Sequence, residues 1–286
     1  LADVPQSTRA IPVAEPKSHT IYAHPLLSSN GKLIYLKEDL DNTTAFVEID
    51  TLTGQERRIA YTGSISTRPQ LSSAGRLWWT EYRQSPLFAE KVDSKLCYMD
   101  IDSQKPRTMR KHSNILYPTP TDGHGIAWVE YTPDGRYSVV VNGRSELNRR
   151  STIPEGSEIH GMAWDEVTQG LYLIITDDDG MHIARMRRDS LERVTRPAYT
   201  TLSDLKAGGG KLYYGSIASG RDEMHTFDLA TGREYRLSTS RYGSFQPQPI
   251  DSATVAGVSY DRRGYMPVVQ RISYDREVLY APHPPK

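Results

Sequence analysis

Long hydrophobic runs, a charge excess of either sign and paired cysteines are all missing from this sequence. Because no stretch of about 18 apolar residues occurs, no transmembrane segment is expected. The opening residues, LADVPQSTRAIPVAEP, lack the basic-then-apolar order of a signal peptide. The 35 basic residues balance the 35 acidic ones, so no overall field would draw the chain to nucleic acid. The single cysteine, Cys97, excludes an intramolecular disulfide.

Residues that favour strands and turns are plentiful instead. The 286 residues include 18 Tyr and 4 Trp, punctuated by 18 Pro and 21 Gly. No long helical pattern interrupts them, and the length suits a single all-β barrel or propeller. The chain begins with Leu rather than Met, so we expect a processed or excised segment, one domain of a longer protein.

An internal repeat determines the predicted architecture. The stretch RPQLSSAGRLWWTEY from Arg68 matches HPLLSSNGKLIYL from His24, and four weaker copies follow at Tyr117, His160, Ser203 and Gln246. The starts lie 43 to 49 residues apart, close to the period of about 40–45 residues that is typical of a β-propeller blade. The repeat therefore predicts an all-β fold, a six-bladed β-propeller of four-stranded antiparallel blades. We call the six copies units one to six.

A blade cannot bury its faces alone, so the sheets are expected to stack around an axis, with the core between neighbours. The predicted core residues are Leu33, Ile34, Trp78, Trp79, Trp128, Leu171 and Tyr213. The propeller is predicted over residues 20–286, and REVLYAP near the C-terminus resembles a complete outer strand. Residues 1–19 form an N-terminal extension that either packs over the first and last units or adds an edge strand, and the sequence does not decide between these.

The repeat P-x-L-S-x-x-G-[KR]-L, followed by an aromatic strand and a Y-M-D strand, resembles that of the TolB-type six-bladed propellers. DEMHTFDLATGREYRLSTSRYGSFQPQP, across units five and six, is the most similar stretch. The Ser-Pro-Asp-Gly element of that family is nearly lost in units four and six. The resemblance implies a periplasmic or cell-surface module that binds a protein at the mouth of its channel, or a gating domain fused to a peptidase.

The repeat starts place one polar residue of each unit at the channel mouth. The predicted ligand-binding residues are His24, Arg68, Tyr117, His160, Ser203 and Gln246. Such a ring could hold an anionic or peptide group, or could simply solvate the backbone. In unit two a long loop carries Pro86, Leu87 and Phe88, which are either a partner-docking patch or a lid over the neighbouring unit.

Motifs for catalysis and cofactors are absent or incomplete. TDDDG at 176–180 lacks the oxygen ligands of a calcium loop, and AGGGKL at 207–212 lacks the Ser or Thr of a phosphate loop, so both are interpreted as turns. His24 and His160 lie three units apart, poorly placed to share a metal. No catalytic residue, metal site or cofactor is predicted.

Two hypotheses follow. The first is a non-enzymatic, monomeric module of an exported or envelope-associated protein that binds a protein or peptide at the channel mouth. The second is a metal-dependent hydrolase or lyase using the same mouth, with Asp204 as the nearest carboxylate. A third reading, a propeller that gates a larger peptidase, differs from the first mainly in what is attached to it.

Overall fold

A computed structural model describes residues 8–84, 92–122, 125–132, 134–143, 150–188, 190–237 and 242–278. Within these ranges the regular structure consists of strands alone, and no helix is present. The molecule is built from antiparallel sheets in a propeller arrangement, so the predicted all-β propeller is confirmed.

The strands follow one another in the order that the repeat predicts. A short strand comes first, β1 (Thr8–Ala10). Unit one holds β2 (Thr20–Leu27), β3 (Leu33–Asp39), β4 (Ala45–Ile49) and β5 (Glu56–Tyr61). Unit two holds β6 (Ile65–Leu71), β7 (Arg76–Gln84), β8 (Val92–Asp100) and β9 (Arg107–Ser113). Unit three holds β10 (Ile115–Pro120), β11 (Ile126–Tyr131), β12 (Tyr137–Asn142) and β13 (Arg150–Thr152).

The second half of the chain repeats the pattern, except at its end. Unit four holds β14 (Glu158–Asp165), β15 (Gly170–Asp177), β16 (Gly180–Met186) and β17 (Leu191–Arg193). Unit five holds β18 (Leu202–Gly208), β19 (Lys211–Ser216), β20 (Glu223–Asp228) and β21 (Arg233–Arg236). Unit six holds β22 (Ser244–Pro249), β23 (Thr254–Asp261) and β24 (Gly264–Arg271), and has no fourth strand of its own among the described residues.

Units two to five each form a separate four-stranded antiparallel sheet, whereas units one and six are joined in one sheet of eight strands. In the joined sheet β24 pairs antiparallel with β1 and makes a short parallel pairing with β2, Thr20 to Gly264 and Ile21 to Tyr265. A side chain at Gly264 would collide there, because an added Cβ would lie 2.1 Å from the Thr20 carbonyl oxygen. Glycine therefore permits the close approach of the two units.

The two chain ends differ in how they compare with the sequence: the pairing of the N-terminal end was left open there, and the C-terminal end pairs elsewhere than expected. The outer neighbour of β24 is the N-terminal β1, so the N-terminal extension adds an edge strand. Of the C-terminal segment that resembles an outer strand, the described residues 276–278 lie against unit five instead: the Val278 N–H donates to Glu234 O, and the Arg236 N–H donates to Arg276 O. The edge of β24 is occupied by β1.

The first strands of the units contact one another around a central channel. In succession β2 contacts β6, β6 contacts β10, β10 contacts β14, β14 contacts β18, β18 contacts β22, and β22 contacts β2. The hydrophobic core lies between neighbouring sheets, in clusters that each combine residues of adjacent units. All seven predicted core residues are buried, which confirms that prediction.

Candidate functional site at the channel mouth

Each first strand is irregular where it faces the channel. The pairing with the second strand shifts at His24 in β2, at Arg68 in β6, at Tyr117 in β10 and at His160 in β14. Four residues at such bulges, His24, Tyr117, Asp204 and Gln246, adopt a left-handed backbone with φ between 50° and 58°. Non-glycine residues rarely do so, and such strain concentrates at functional sites.

The bulge in unit five lies one residue later than the repeat alignment predicts. In β18 the shift falls between Ser203 and Lys206, and Asp204 takes the left-handed conformation. The left-handed residue lies seven positions before the Gly-Lys pair in unit one, His24 to Gly31, and six positions before it in unit five, Asp204 to Gly210, so an alignment on the Gly-Lys pairs selects Ser203. Ser203 still lines the mouth, but the residue equivalent to His24 is the carboxylate Asp204.

A cavity of about 260 Å³ opens where the first strands begin, and we call this side of the disc the mouth face. Five of the six predicted ligand-binding residues line it: His24, Arg68, Tyr117, His160 and Ser203. Gln246 is not among the lining residues. Its Oε1 accepts a hydrogen bond from the His24 backbone N–H at 2.6 Å and so fastens unit six to unit one.

Arg68 spans the channel rather than presenting a free cation. It is only 8% exposed, and its guanidinium donates to Asp204 O at 2.6 Å and to Pro247 O at 3.0 Å, on the opposite side of the ring. The Asp204 carboxylate lies 3.6 Å from Arg68 Nη1. Burial lowers the pKa of Arg68 to about 10, an effect that Asp204 opposes. The side chain therefore acts as a tie between units two, five and six.

The histidines at the mouth carry nitrogen atoms without partners. Nδ1 of His24 and Nε2 of His160 are buried, and neither has a hydrogen-bond partner in the described part of the chain. Burial lowers the pKa of His24 to about 4; the Asp204 carboxylate, 3.9 Å from Nδ1, opposes this, and Arg68 adds to it. The His24 imidazole is therefore neutral at pH 7 and can donate or accept a hydrogen bond.

A metal ion does not find a complete ligand set here. Across the ranges that the structure describes, no three side chains among His, Cys, Asp and Glu converge closely enough to hold one. His24 and Asp204 approach each other, whereas Nε2 of His160 lies 3.6 Å from a different carboxylate, Oε2 of Glu158, beyond hydrogen-bonding distance. The described polar side chains of the mouth provide hydrogen-bond donors and acceptors.

A ring of exposed apolar side chains surrounds the mouth, and the sequence reasoning missed it. The residue that follows the last paired position of the second strand is equivalent in every unit. It is Leu40, Tyr82, Tyr131, Ile217 and Tyr260 in units one, two, three, five and six, and Asp177 in unit four. All five apolar members are exposed, Leu40 by 85%. We call these five residues the rim.

The signal for the rim was present in the repeat. Aligning the copies at the end of the second strand, rather than at its start, brings the five apolar residues into one column.

In addition, Tyr61, Tyr199 and Tyr242 are exposed in segments that return from fourth strands to the mouth face. On the opposite side, the far face, the exposed large apolar residues of the described chain are Leu52, Val167 and Tyr274.

Other sequence predictions divide into confirmed turns and one untested loop. Residues 178–179 connect β15 to β16, and Asp177 and Asp179 both pair with Arg193, so TDDDG is a turn braced by an ion pair. Residues 209–210 connect β18 to β19, as predicted for AGGGKL. The loop with Pro86, Leu87 and Phe88 lies outside the described residues. None of the described segments is an apolar helix long enough to cross a membrane.

Comparison with known proteins supports the fold. No protein-family model and no curated protein sequence matches the chain. Among solved structures, it is similar to an oligogalacturonate lyase in complex with manganese, with a TM-score of 0.56, 16% identity, and coverage of 87% of this chain and 76% of that one. It is also similar to a putative TolB from Agrobacterium tumefaciens, with a TM-score of 0.53 and 17% identity, over 72% of this chain and 74% of that one.

A peptidase shares the architecture over part of its length. The acylaminoacyl peptidase of Pyrococcus horikoshii matches with a TM-score of 0.58 and 11% identity, over 92% of this chain but only 45% of the peptidase. The chain thus spans less than half of that enzyme. At these identities the similarity concerns the propeller fold, which serves lyase, peptidase and TolB proteins alike.

Proposed function

We propose that this chain is a six-bladed propeller that binds a protein or peptide partner on its mouth face without catalysing a reaction. The six-blade count is supported by the closed succession of contacts among β2, β6, β10, β14, β18 and β22. The pairing of β1 with β24 supports a last blade completed by the N-terminal strand. In this reading residues 1–19 supply the closing strand of the propeller formed by residues 20–286.

The rim is the observation that carries the binding proposal. Exposed large apolar residues occur singly on most surfaces, but an array of them at equivalent positions around one opening is typical of an interaction site. Tyrosine, which supplies three of the five rim residues, is enriched in protein interfaces because its ring buries apolar area while its hydroxyl hydrogen-bonds.

The mouth cavity complements the rim with polar groups. Inside the ring of apolar side chains lie the neutral His24 imidazole, the Asp204 carboxylate and the His160 ring. A partner segment that packs against Tyr82 and Tyr131 could place one polar side chain or a backbone turn in the cavity of about 260 Å³. The apolar ring would supply most of the binding affinity, and the oriented polar groups would fix the position of the partner.

The proposal includes an exported or envelope-associated location and a monomeric state. Resemblance of the repeat to TolB-type propellers supports the location, as does the similarity to a putative TolB structure. Nucleic acid is not a proposed partner, because basic and acidic residues balance. Light scattering after size-exclusion chromatography measures the oligomeric state directly.

A metal-dependent hydrolase or lyase at the same mouth is the second candidate. Asp204 at a bulge position beside His24 favours it, and so does the similarity to a lyase that holds manganese. Titration with Mn²⁺ followed by calorimetry distinguishes the two: a site of one ion per chain that is lost in Asp204→Asn supports the enzyme. The peptidase-gating reading predicts a catalytic domain elsewhere in the full-length gene product.

Variants of the rim test the binding proposal. We expect Leu40→Ser, Tyr82→Ser and Tyr131→Ser combined to reduce capture of the partner from cell extract by 10-fold or more, since hot-spot aromatics dominate interfaces. The combination Leu52→Ser, Val167→Ser and Tyr274→Ser on the far face is the matched control and should bind as the wild type does. Equal capture by both triple variants would refute the proposal. Arg68 is a poor target, because its removal would break the tie across the channel.

A further inference from the structure

A second cavity opens at the other end of the channel. It has a volume of about 530 Å³, within the range of about 300–1,000 Å³ typical of small-molecule sites. It lies where the first strands end, on the far face, and reaches solvent beside the exposed Ser73, Glu166 and Val167. Gln70 lines both this far cavity and the mouth cavity, so the two spaces meet at its side chain.

The far cavity is lined by a buried lysine whose hydrogen-bond partner is not a carboxylate. Lys206 is only 7% exposed, and its amine donates to the neutral side-chain oxygen Gln70 Oε1. By contrast Lys32, Lys37, Lys95 and Lys211 each pair with a Glu or Asp carboxylate. Among the described residues, no carboxylate oxygen is within ion-pairing distance of Lys206.

A buried amine without an anion is costly in its charged form. Burial lowers the pKa of Lys206 well below its ordinary range, and the nearby Arg68 lowers it further, while Asp204 opposes the shift. Lys206 in turn contributes, after burial and Arg68, to lowering the pKa of His24. An anion placed beside the amine would restore its charge, since an opposite charge in low dielectric stabilises the protonated form.

We infer that the far cavity binds a small organic monocarboxylate, whose carboxylate pairs with Lys206 and whose apolar or aromatic portion packs against the cavity wall. The apolar part of that wall includes Leu26, Pro120, Trp164, Pro249 and Ile250. The indole N–H of Trp164 is buried and unpartnered in the described structure, which leaves a donor for a second polar atom of the ligand.

Charge matching favours a monoanion over phosphate. Lys211 also lines the cavity, but Asp228 neutralises it. Two carboxylates at the opening, Glu166 and Asp251, would repel a dianion. One buried cation thus remains for one negative charge. The site is separate from the mouth face, so it stands independently of the proposed function.

Calorimetry with 3-phenylpropionate and its uncharged analogue 3-phenylpropanamide tests the inference. We expect the acid to bind the wild type at least 10-fold more tightly than the amide, because a charge-assisted hydrogen bond is replaced by a neutral one. Binding of the acid should take up protons, so the measured enthalpy should differ between two phosphate-free buffers of low and high ionisation enthalpy. Inorganic phosphate should not compete.

Two variants and one control test whether Lys206 is responsible for the preference for the acid over the amide. Lys206→Met should abolish the preference for the acid, and Lys211→Met, in the same cavity, should change the affinity less than 3-fold. Gln70→Glu places a carboxylate beside Lys206 within the fold, so it should remove acid binding without lowering the melting temperature. Equal affinity for acid and amide, acid binding retained in Gln70→Glu, or competition by phosphate would overturn the inference.

Discussion

Individual charged residues in the channel are held by partners that are distant in sequence. The Arg68 guanidinium donates hydrogen bonds to the backbone carbonyl oxygens of Asp204 and Pro247, which lie 136 and 179 residues away, and the Asp204 carboxylate lies 3.6 Å from its Nη1. Its polarity and channel position were predictable from the repeat, whereas its burial was not, since the repeat contains no information on which side chains cross the axis. A buried arginine bonded in this way stabilises the arrangement of opposite units.

The acid sensitivity of the fold can be predicted from His24. The pKa of His24 is about 4 in the folded protein, whereas an unfolded histidine protonates near pH 6.5. The unfolded state thus binds more protons between these values, and stability falls as the pH drops through that window. From pH 7 to pH 5 this group alone should remove about 1–2 kcal/mol of unfolding free energy.

Replacing His24 by asparagine isolates the contribution of this histidine to the loss of stability in acid. Asparagine tolerates the left-handed backbone that position 24 requires, so His24→Asn should fold and should lose about 1–2 kcal/mol less than the wild type between pH 7 and pH 5. Urea unfolding at the two pH values measures the difference. His19→Asn, at an exposed site, is the control and should show the wild-type loss. An identical loss in all three proteins would contradict the assignment.

At the scale of elements, the strands follow from alternating apolar residues and from the turns between them, and so they were predictable. The repeat starts fall within the first strands of all six units. The bulges were not predictable, because in first strands of only six to eight residues the one-residue shift that a bulge causes in the alternation of faces is not distinguishable from ordinary irregularity. That is why Ser203 was aligned where Asp204 lies. The role of β1 was also open, since only tertiary pairing decides which chain end meets β24.

The pairing of β1 with β24 predicts that the N-terminal segment contributes to stability. Just after β1, Ile11 is 3% exposed, packs in the cluster between units one and six, and donates its N–H to Pro267 O at 3.0 Å. Ile11→Ala should therefore lower the free energy of unfolding by about 2–4 kcal/mol. Chemical denaturation measures this, and faster hydrogen exchange is expected in β24.

A substitution at an exposed aliphatic residue is the control for Ile11→Ala. Val167→Ala, on a turn of unit four, removes apolar atoms that are already in water and should change the stability by less than about 0.5 kcal/mol. If Ile11→Ala were equally neutral, the N-terminal segment would be a loosely attached tail, and the joined sheet of units one and six would not depend on it.

At the scale of the whole molecule, the disc has two chemically different faces. The mouth face carries the apolar rim around a small polar cavity, and the far face carries a larger cavity with a buried amine. Fold similarity alone does not distinguish among binding, lyase and peptidase-associated roles. The distribution of side chains between the faces supports our two proposals, a macromolecular partner on one side and a small carboxylate on the other.

Site-specific photo-cross-linking tests the central claim, that the mouth face is where the partner binds. A photoreactive benzoylphenylalanine is introduced in place of Tyr82 or Tyr131 on the rim, and in place of Leu52 or Val167 on the far face, in the full chain expressed in its own cells. We predict that irradiation gives the same discrete protein adduct from both rim positions and none from the far-face positions. Adducts from the far face alone, or equally from both faces, would contradict the account.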